Sequence, residues 1–452
     1  MEAGCDFVSA LLSIGEGGTV FFASCLLHLN PDELKACRLV NRTWNEFIRK
    51  EVWGSARRRL QLREKLNQRW KFSDPPLIEV GEVRNPILGH SEVDTVDSIF
   101  CDNSHAFCGL PCGKVGVYCL TTNEWVRNLM PGGVTEGYNE TKVAGSDLVV
   151  AAVMKYTDMV TVWSSKKNME ELFCLDARDF PCLDDCEHTD RNQVTEIQVV
   201  GDKVFLLRKD QEQGKTSLIG IKRIEQTVWE SSILACLDGF PSATLATEEN
   251  WIAVLRINDW YGPWHQYINT STHIKLWECN TFRQDISAIS LPDDPRDRRY
   301  TKIALKLPFI VVICNFCVDV FQLASDNLME DKRLRGSLIK TIPMDSNWSG
   351  QLTSNELFFG FVLLEVENFR QAVTLIEKKT LLDASIPSEE TEKRQILLPD
   401  LYKQLNGGAY IVGMNTTTLV FAHQVVYTDD EDGEEVVIPL HKNDFWRTSN
   451  IE

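Results

Sequence analysis

The sequence predicts a mainly β protein: an N-terminal three-helix element and a linker helix, followed by a seven-bladed β-propeller. Three observations predict it. Apolar residues recur at helical spacing between Phe21 and Trp53. After Pro76 the periodicity changes from helical to strand-like, and Gly, Pro, Asn and Asp punctuate short β-branched and aromatic runs to the end of the chain. Within that stretch one strand type recurs at steps of 44 to 57 residues.

In chain order, residues 1–15 form a loose leader and residues 16–54 hold the helical element. Asn30 is a good N-cap, Pro31 suits the first helical position, and Glu33 stands where a capping-box acid belongs. Asn41 can cap the next helix in the same way. The apolar stripe runs through Phe22, Leu26 and Leu29, then Leu34, Cys37 and Val40, then Trp44 and Phe47. Three helices of this size make too small a core to stand alone, so part of that apolar surface needs a partner. Residues 55–76 form the linker. Its helix starts upstream at Glu51 and runs to Trp70, with a basic face and a stripe through Trp53, Ala56, Leu60, Leu66 and Trp70. Phe72-Ser73-Asp74-Pro75-Pro76 ends that helix and marks the boundary.

From residue 77 to 452 the recurring strand has the form Val-x-Val-aromatic. It appears as VGVYCL, VTVWSS, SLIGIK, IKLWEC, VDVFQL, VTLIEK and TLVFAH, centred on residues 117, 162, 219, 276, 320, 375 and 420. Apolar strands such as SDLVVAAV or LPFIVVIC precede it, and a turn and another strand follow. Four strands in a repeat of about 40–60 residues are the signature of a propeller blade, and a closed ring protects the sheet edges. Closure is expected to borrow Leu77–Val83 to complete the last blade beside Val436–Leu440. An antiparallel β-sandwich pair is the alternative architecture.

Two resemblances follow. Leu29, Pro31, Glu33-Leu34, Leu39-Val40, Trp44 and Val52-Trp53 stand in the order and spacing of an F-box, which the stretch resembles over under a tenth of the chain. The family's opening Leu-Pro is replaced by Gly17-Gly18, and Val20 stands where its acid would fall. The β half resembles a degenerate WD-repeat propeller. Gly-His appears at Gly89-His90, no strand ends in Trp-Asp, and Trp163-Ser and Trp277-Glu are the nearest approaches. The polar network of standard blades is therefore expected to be mostly missing, with apolar packing in its place. The F-box resemblance implies a Skp-type adaptor and, through it, a cullin as partners. Phe22, Leu26, Leu29, Pro31, Leu34, Leu39, Val40 and Trp44 are the adaptor-facing or supporting set. The alternatives are a small helical cap on a propeller scaffold unconnected to ubiquitin, and a propeller hydrolase.

Composition narrows the function further. Net charge is −18, but residues 31–72 hold 12 Lys/Arg against 5 Asp/Glu, so the rest carries −25. An acidic body excludes general nucleic-acid binding, which needs a basic footprint. No secretory n-region or membrane-spanning run is visible, and the 14 Cys read as reduced thiols of a cytoplasmic or nuclear protein.

No nucleophile elbow, phosphate-cradling Gly loop or HExxH occurs, so no catalytic residue, metal or cofactor is assigned. Cys182, Cys186 and His188 could supply three zinc ligands, but no second knuckle accompanies them. Cys314 and Cys317 lie in apolar strand sequence and read as small core residues. Asp429–Glu435 reads as a solvated acidic hairpin loop. Two loops suit a protein substrate. One carries Trp260, Tyr261 and Trp264, aromatics of the kind binding hot spots use; the other carries Arg296, Arg298 and Arg299, whose forks suit phosphate or carboxylate.

Overall fold

The computed structural model describes residues 22, 26, 36–37, 39–40 and 42–48, the strand at 77–82, and the strands and most short turns between residues 96 and 448. The remaining stretches, among them 1–21, 49–76, 83–95, 177–191, 258–272, 291–299 and 425–443, lie outside the described residues. Two compact units divide the chain, Met1–Asp74 and Pro75–Asn450.

In the first unit the helix Arg42–Phe47 is described. Phe22, Leu26, Phe47 and Ile48 are buried. The Phe22 ring meets Trp44 edge-on at 5.2 Å and Phe47 at 5.1 Å, so aromatic packing holds this small core together.

Among the described residues the second unit holds seven four-stranded antiparallel sheets. Six are formed by four consecutive strands each. The seventh joins three C-terminal strands, Ala409–Met414, Leu419–Gln424 and Asp444–Thr448, to the N-terminal strand Leu77–Glu82. The innermost strands pack side by side in chain order, and that of the seventh sheet returns to that of the first, closing a ring. Both ends of the unit's chain are thereby locked into one sheet, which leaves no open terminal sheet for another chain to pair with.

Burial explains why the repeat is visible in the sequence. The second strand of sheet 2, Val149–Met154, is buried at all six positions. The outermost strand of sheet 1, Glu124–Leu129, alternates toward solvent. Middle strands are covered on both faces by neighbouring sheets and therefore read as continuous Val/Ile/Leu/Phe runs. Among the described residues, apolar clusters join sheets 1 to 6 in succession and sheet 7 to sheet 1. One example joins Leu255 and Leu276 of sheet 4 to Ile310 and Val312 of sheet 5, and another joins Tyr118 of sheet 1 to Val420 of sheet 7. Trp163 and Trp277, the nearest approaches to a Trp-Asp ending, are buried in two of these clusters.

One expectation needs correction. Leu77–Glu82 pairs with Asp444–Thr448, not with Val436–Leu440, which lies outside the described residues. The sequence DFWRT offers two aromatics and an unbroken row of backbone donors, whereas Pro439 interrupts the expected partner. The recurring Val-x-Val-aromatic strand is the third strand in sheets 1 to 6 but the second in sheet 7. Second and third strands are buried alike, so residue pattern alone does not separate them.

Close approach rather than turn geometry explains one glycine. A Cβ on Gly145, in the innermost strand of sheet 2, would meet the Phe100 ring of sheet 1, with Cδ1 2.7 Å away. Gly145→Val should destabilise the ring by about 1–3 kcal/mol through overpacking, measured by urea denaturation.

Candidate functional site

The expected adaptor-facing set divides by burial. Phe22 and Leu26 are buried, and Trp44 is half-buried against Phe22. Leu39 and Val40 are 86% and 58% exposed. They sit in a turn whose amides donate to Ala36 O and Cys37 O, which fixes two apolar side chains at a sharply defined place. Just beyond it, Arg42 pairs with Glu46 at 2.9 Å on an exposed helix surface. Leu29, Pro31 and Leu34 lie outside the described residues.

Trp260, Tyr261 and Trp264, and Arg296, Arg298 and Arg299, also lie outside the described residues. The strand ends that bracket them are described, and they share one rim. Ser242, Ile257, His273 and Ser290 close that end of sheet 4; Tyr300, Cys314, Cys317 and Pro343 close the same end of sheet 5. Sheets 4 and 5 are neighbours in the ring, so both expected substrate loops begin and end on adjacent sheets at one rim. Cys182, Cys186, His188 and the acidic run Asp429–Glu435 fall outside the described residues.

At the centre of the ring lies a cavity of about 510 Å³, lined by the innermost strands of all seven sheets. Its charged groups include Lys142, Glu196 and Lys302. The Lys302 ammonium contacts Glu196, bridging the non-adjacent sheets 5 and 3, and Lys142 Nζ donates to Thr195 O. Burial opposes the Glu196 charge, yet Lys302 and Lys142 outweigh it and hold the carboxyl below its ordinary range.

Beside the apolar clusters, hydrogen bonds stitch the innermost strands at their edges. Ser98 Oγ donates to Thr141 O and accepts from Val143 N, both at 2.8 Å, and Thr141 N donates to Asp97 at 2.9 Å. At ring closure Asn355 Nδ2 donates to Asn415 O at 3.0 Å, and Asn415 Nδ2 donates to Asp102 O at 2.7 Å, linking sheets 6, 7 and 1. Asp102, Asn355 and Asn415 lie in connections just past strand ends, where sequence shows no period by which to find them.

Asp102 also accepts from the amides of Ser104 and His105, at 2.7 and 2.6 Å, and faces His105 Nδ1 at 3.7 Å. The Asp102 carboxylate beside the ring raises the His105 pKa despite burial. Burial opposes the Asp102 charge but is outweighed by His105 and the backbone donors, so its pKa falls. His105 therefore adds stability that is present below its ordinary value of 6.5 and lost as pH rises through the raised folded value. Asp102 adds stability that is present above its ordinary 3.8 and lost on acidification. Between these limits the pair is fully formed. Urea midpoints should fall between about pH 6 and pH 8, and that fall should shrink in His105→Gln.

Comparison with solved structures decides the fold. The chain is similar to the β-propeller domain of Cps50 (Swd1) from Myceliophteria thermophila, with a TM-score of 0.51 and 9% identity. The match covers 78% of this chain and 97% of that one. The fold is a β-propeller. At that identity the likeness speaks for architecture alone. No family model matches the sequence, and no curated protein matches it. Among the described residues, no helix of the propeller chain is long and apolar enough to cross a membrane.

Proposed function

We propose that the protein is the substrate-recognition adaptor of a cullin-based, SCF-type ubiquitin ligase. The helical element docks a Skp-type adaptor, and the propeller holds a protein substrate at its sheet-4 and sheet-5 rim. The observation that carries this reading is the exposed Leu39-Val40 pair beside a packed aromatic core. Two large apolar side chains exposed in a turn cost free energy in water until a partner covers them. The F-box-like order of Leu29, Pro31, Leu34, Leu39, Val40 and Trp44 supplies the class of partner.

The protein itself performs no bond-making step in this reading. It raises the effective concentration of a substrate lysine near a charged conjugating enzyme, in the cytoplasm or nucleus. A second reading rests on Gly17-Gly18, which replaces the family's Leu-Pro opening: a propeller scaffold whose helices serve no ligase. Mixing the full chain with a purified Skp-type adaptor separates the two. A stable complex on size exclusion supports the ligase subunit, and separate elution supports the scaffold.

A further inference from the structure

We infer that Cys314 and Cys317 form an oxidisable dithiol, a reversible covalent clamp on the sheet-5 hairpin independent of any ligase role. Cys314 ends one strand, Phe309–Cys314, and Cys317 begins the next, Cys317–Leu323. The register pairs Ile313 with Val318, so the two cysteines occupy the next cross-strand position, separated by a two-residue connection. Side chains directly opposite on antiparallel strands lie within the reach a disulfide requires. Their Sγ atoms are 2.6 Å apart, although both residues are buried, at 2% and 7% exposure.

A shared zinc ion fits this spacing less well. Two thiolates at about 2.3 Å from a tetrahedral metal stand roughly 3.7 Å apart. The neighbouring carboxylate has a different use. Asp319 is fully buried, its Oδ1 accepts from Thr341 Oγ1 at 2.6 Å, and it lies 3.8 Å from Cys317 Sγ. It is placed to take the thiol proton.

With a peroxide as oxidant, Cys317 passes its proton to Asp319, and its sulfur attacks the O–O bond. That bond breaks, an S–O bond forms, and one oxygen leaves as water after taking up a proton. The Cys314 sulfur then displaces the second oxygen, which departs as water with the Cys314 proton. In total, two thiols and one peroxide give one disulfide and two waters. The hairpin lies on the rim that brackets both expected substrate loops, so the clamp fixes one wall of that rim.

The test is differential alkylation of the full chain after brief exposure to hydrogen peroxide, followed by unfolding, peptide mapping and elemental analysis. The expected result is a loss of two alkylatable thiols, a Cys314–Cys317 peptide lighter by two hydrogens, and full recovery with dithiothreitol. Cys108, equally buried and facing Ile99 across its strand pair, should still alkylate. Asp319→Asn should slow the loss at least several-fold without changing its end point. If Cys314 and Cys317 alkylate as fully as Cys108, the inference is overturned. Sulfonic acid on Cys317 without a disulfide, or stoichiometric zinc lost in both Cys314→Ser and Cys317→Ser, overturns it equally.

Discussion

Replacing Leu39 and Val40 together by aspartate should weaken binding of a Skp-type adaptor on the order of 30-fold or more. Central interface residues commonly cost 2 kcal/mol or more when truncated, and every 1.4 kcal/mol is tenfold in affinity. A carboxylate in place of each apolar side chain adds a desolvation cost on the bound side. The free protein should tolerate the change, because both side chains already face water. Exposed substitutions of this kind usually shift stability by under about 0.5 kcal/mol. Phe22→Ala is the contrasting variant. It removes the ring that packs on Trp44 and Phe47, so any binding loss would come with loss of helical structure. Isothermal titration against the purified adaptor, with circular dichroism of each variant, separates the two effects. Adaptor affinity unchanged in the double aspartate variant would end the ligase assignment.

The second large effect concerns the channel. Lys302→Met should destabilise the propeller by about 2–3 kcal/mol, measured by chemical denaturation near neutral pH. Removing one partner of a buried pair typically costs 3–5 kcal/mol, and the partial exposure of Glu196 and Lys302, 18% and 30%, reduces that. Burial then acts on Glu196 with only Lys142 to oppose it. The pH dependence follows from the direction of the shift. In the wild type the Glu196 contribution is present above its ordinary value of 4.5 and lost as pH falls through the lower folded value. That contribution should shrink in Lys302→Met. The double variant Glu196→Gln/Lys302→Met should recover most of the loss, since no unpaired charge remains. Equal instability of the single and double variants would show that Lys302 acts through packing instead.

These two sites differ in how far they could be read from the chain. Leu39 and Val40 stand in a recognisable local pattern, and their amides are tied to carbonyls only three residues back. Glu196 and Lys302 are 106 positions apart, and no local spacing announces that they meet. The same contrast holds for the latch through Asn355, Asn415 and Asp102. Each is an ordinary turn residue by itself, and 313 positions separate Asn415 from its Asp102 acceptor.

The sequence by itself determined the β architecture and the repeat, because strands covered on both faces must be continuously apolar wherever they occur. In the N-terminal element the stripe through Trp44 and Phe47 matches the described helix Arg42–Phe47. Tertiary structure alone decided that TLVFAH is a second strand, that Asp444–Thr448 receives Leu77–Glu82, and that Phe22 and Leu26 turn inward while Leu39 and Val40 face water. The reason is the same in each case. Burial on both faces leaves a mark in residue type, whereas the choice of neighbour among equally apolar surfaces is made only when the ring closes and the helices pack.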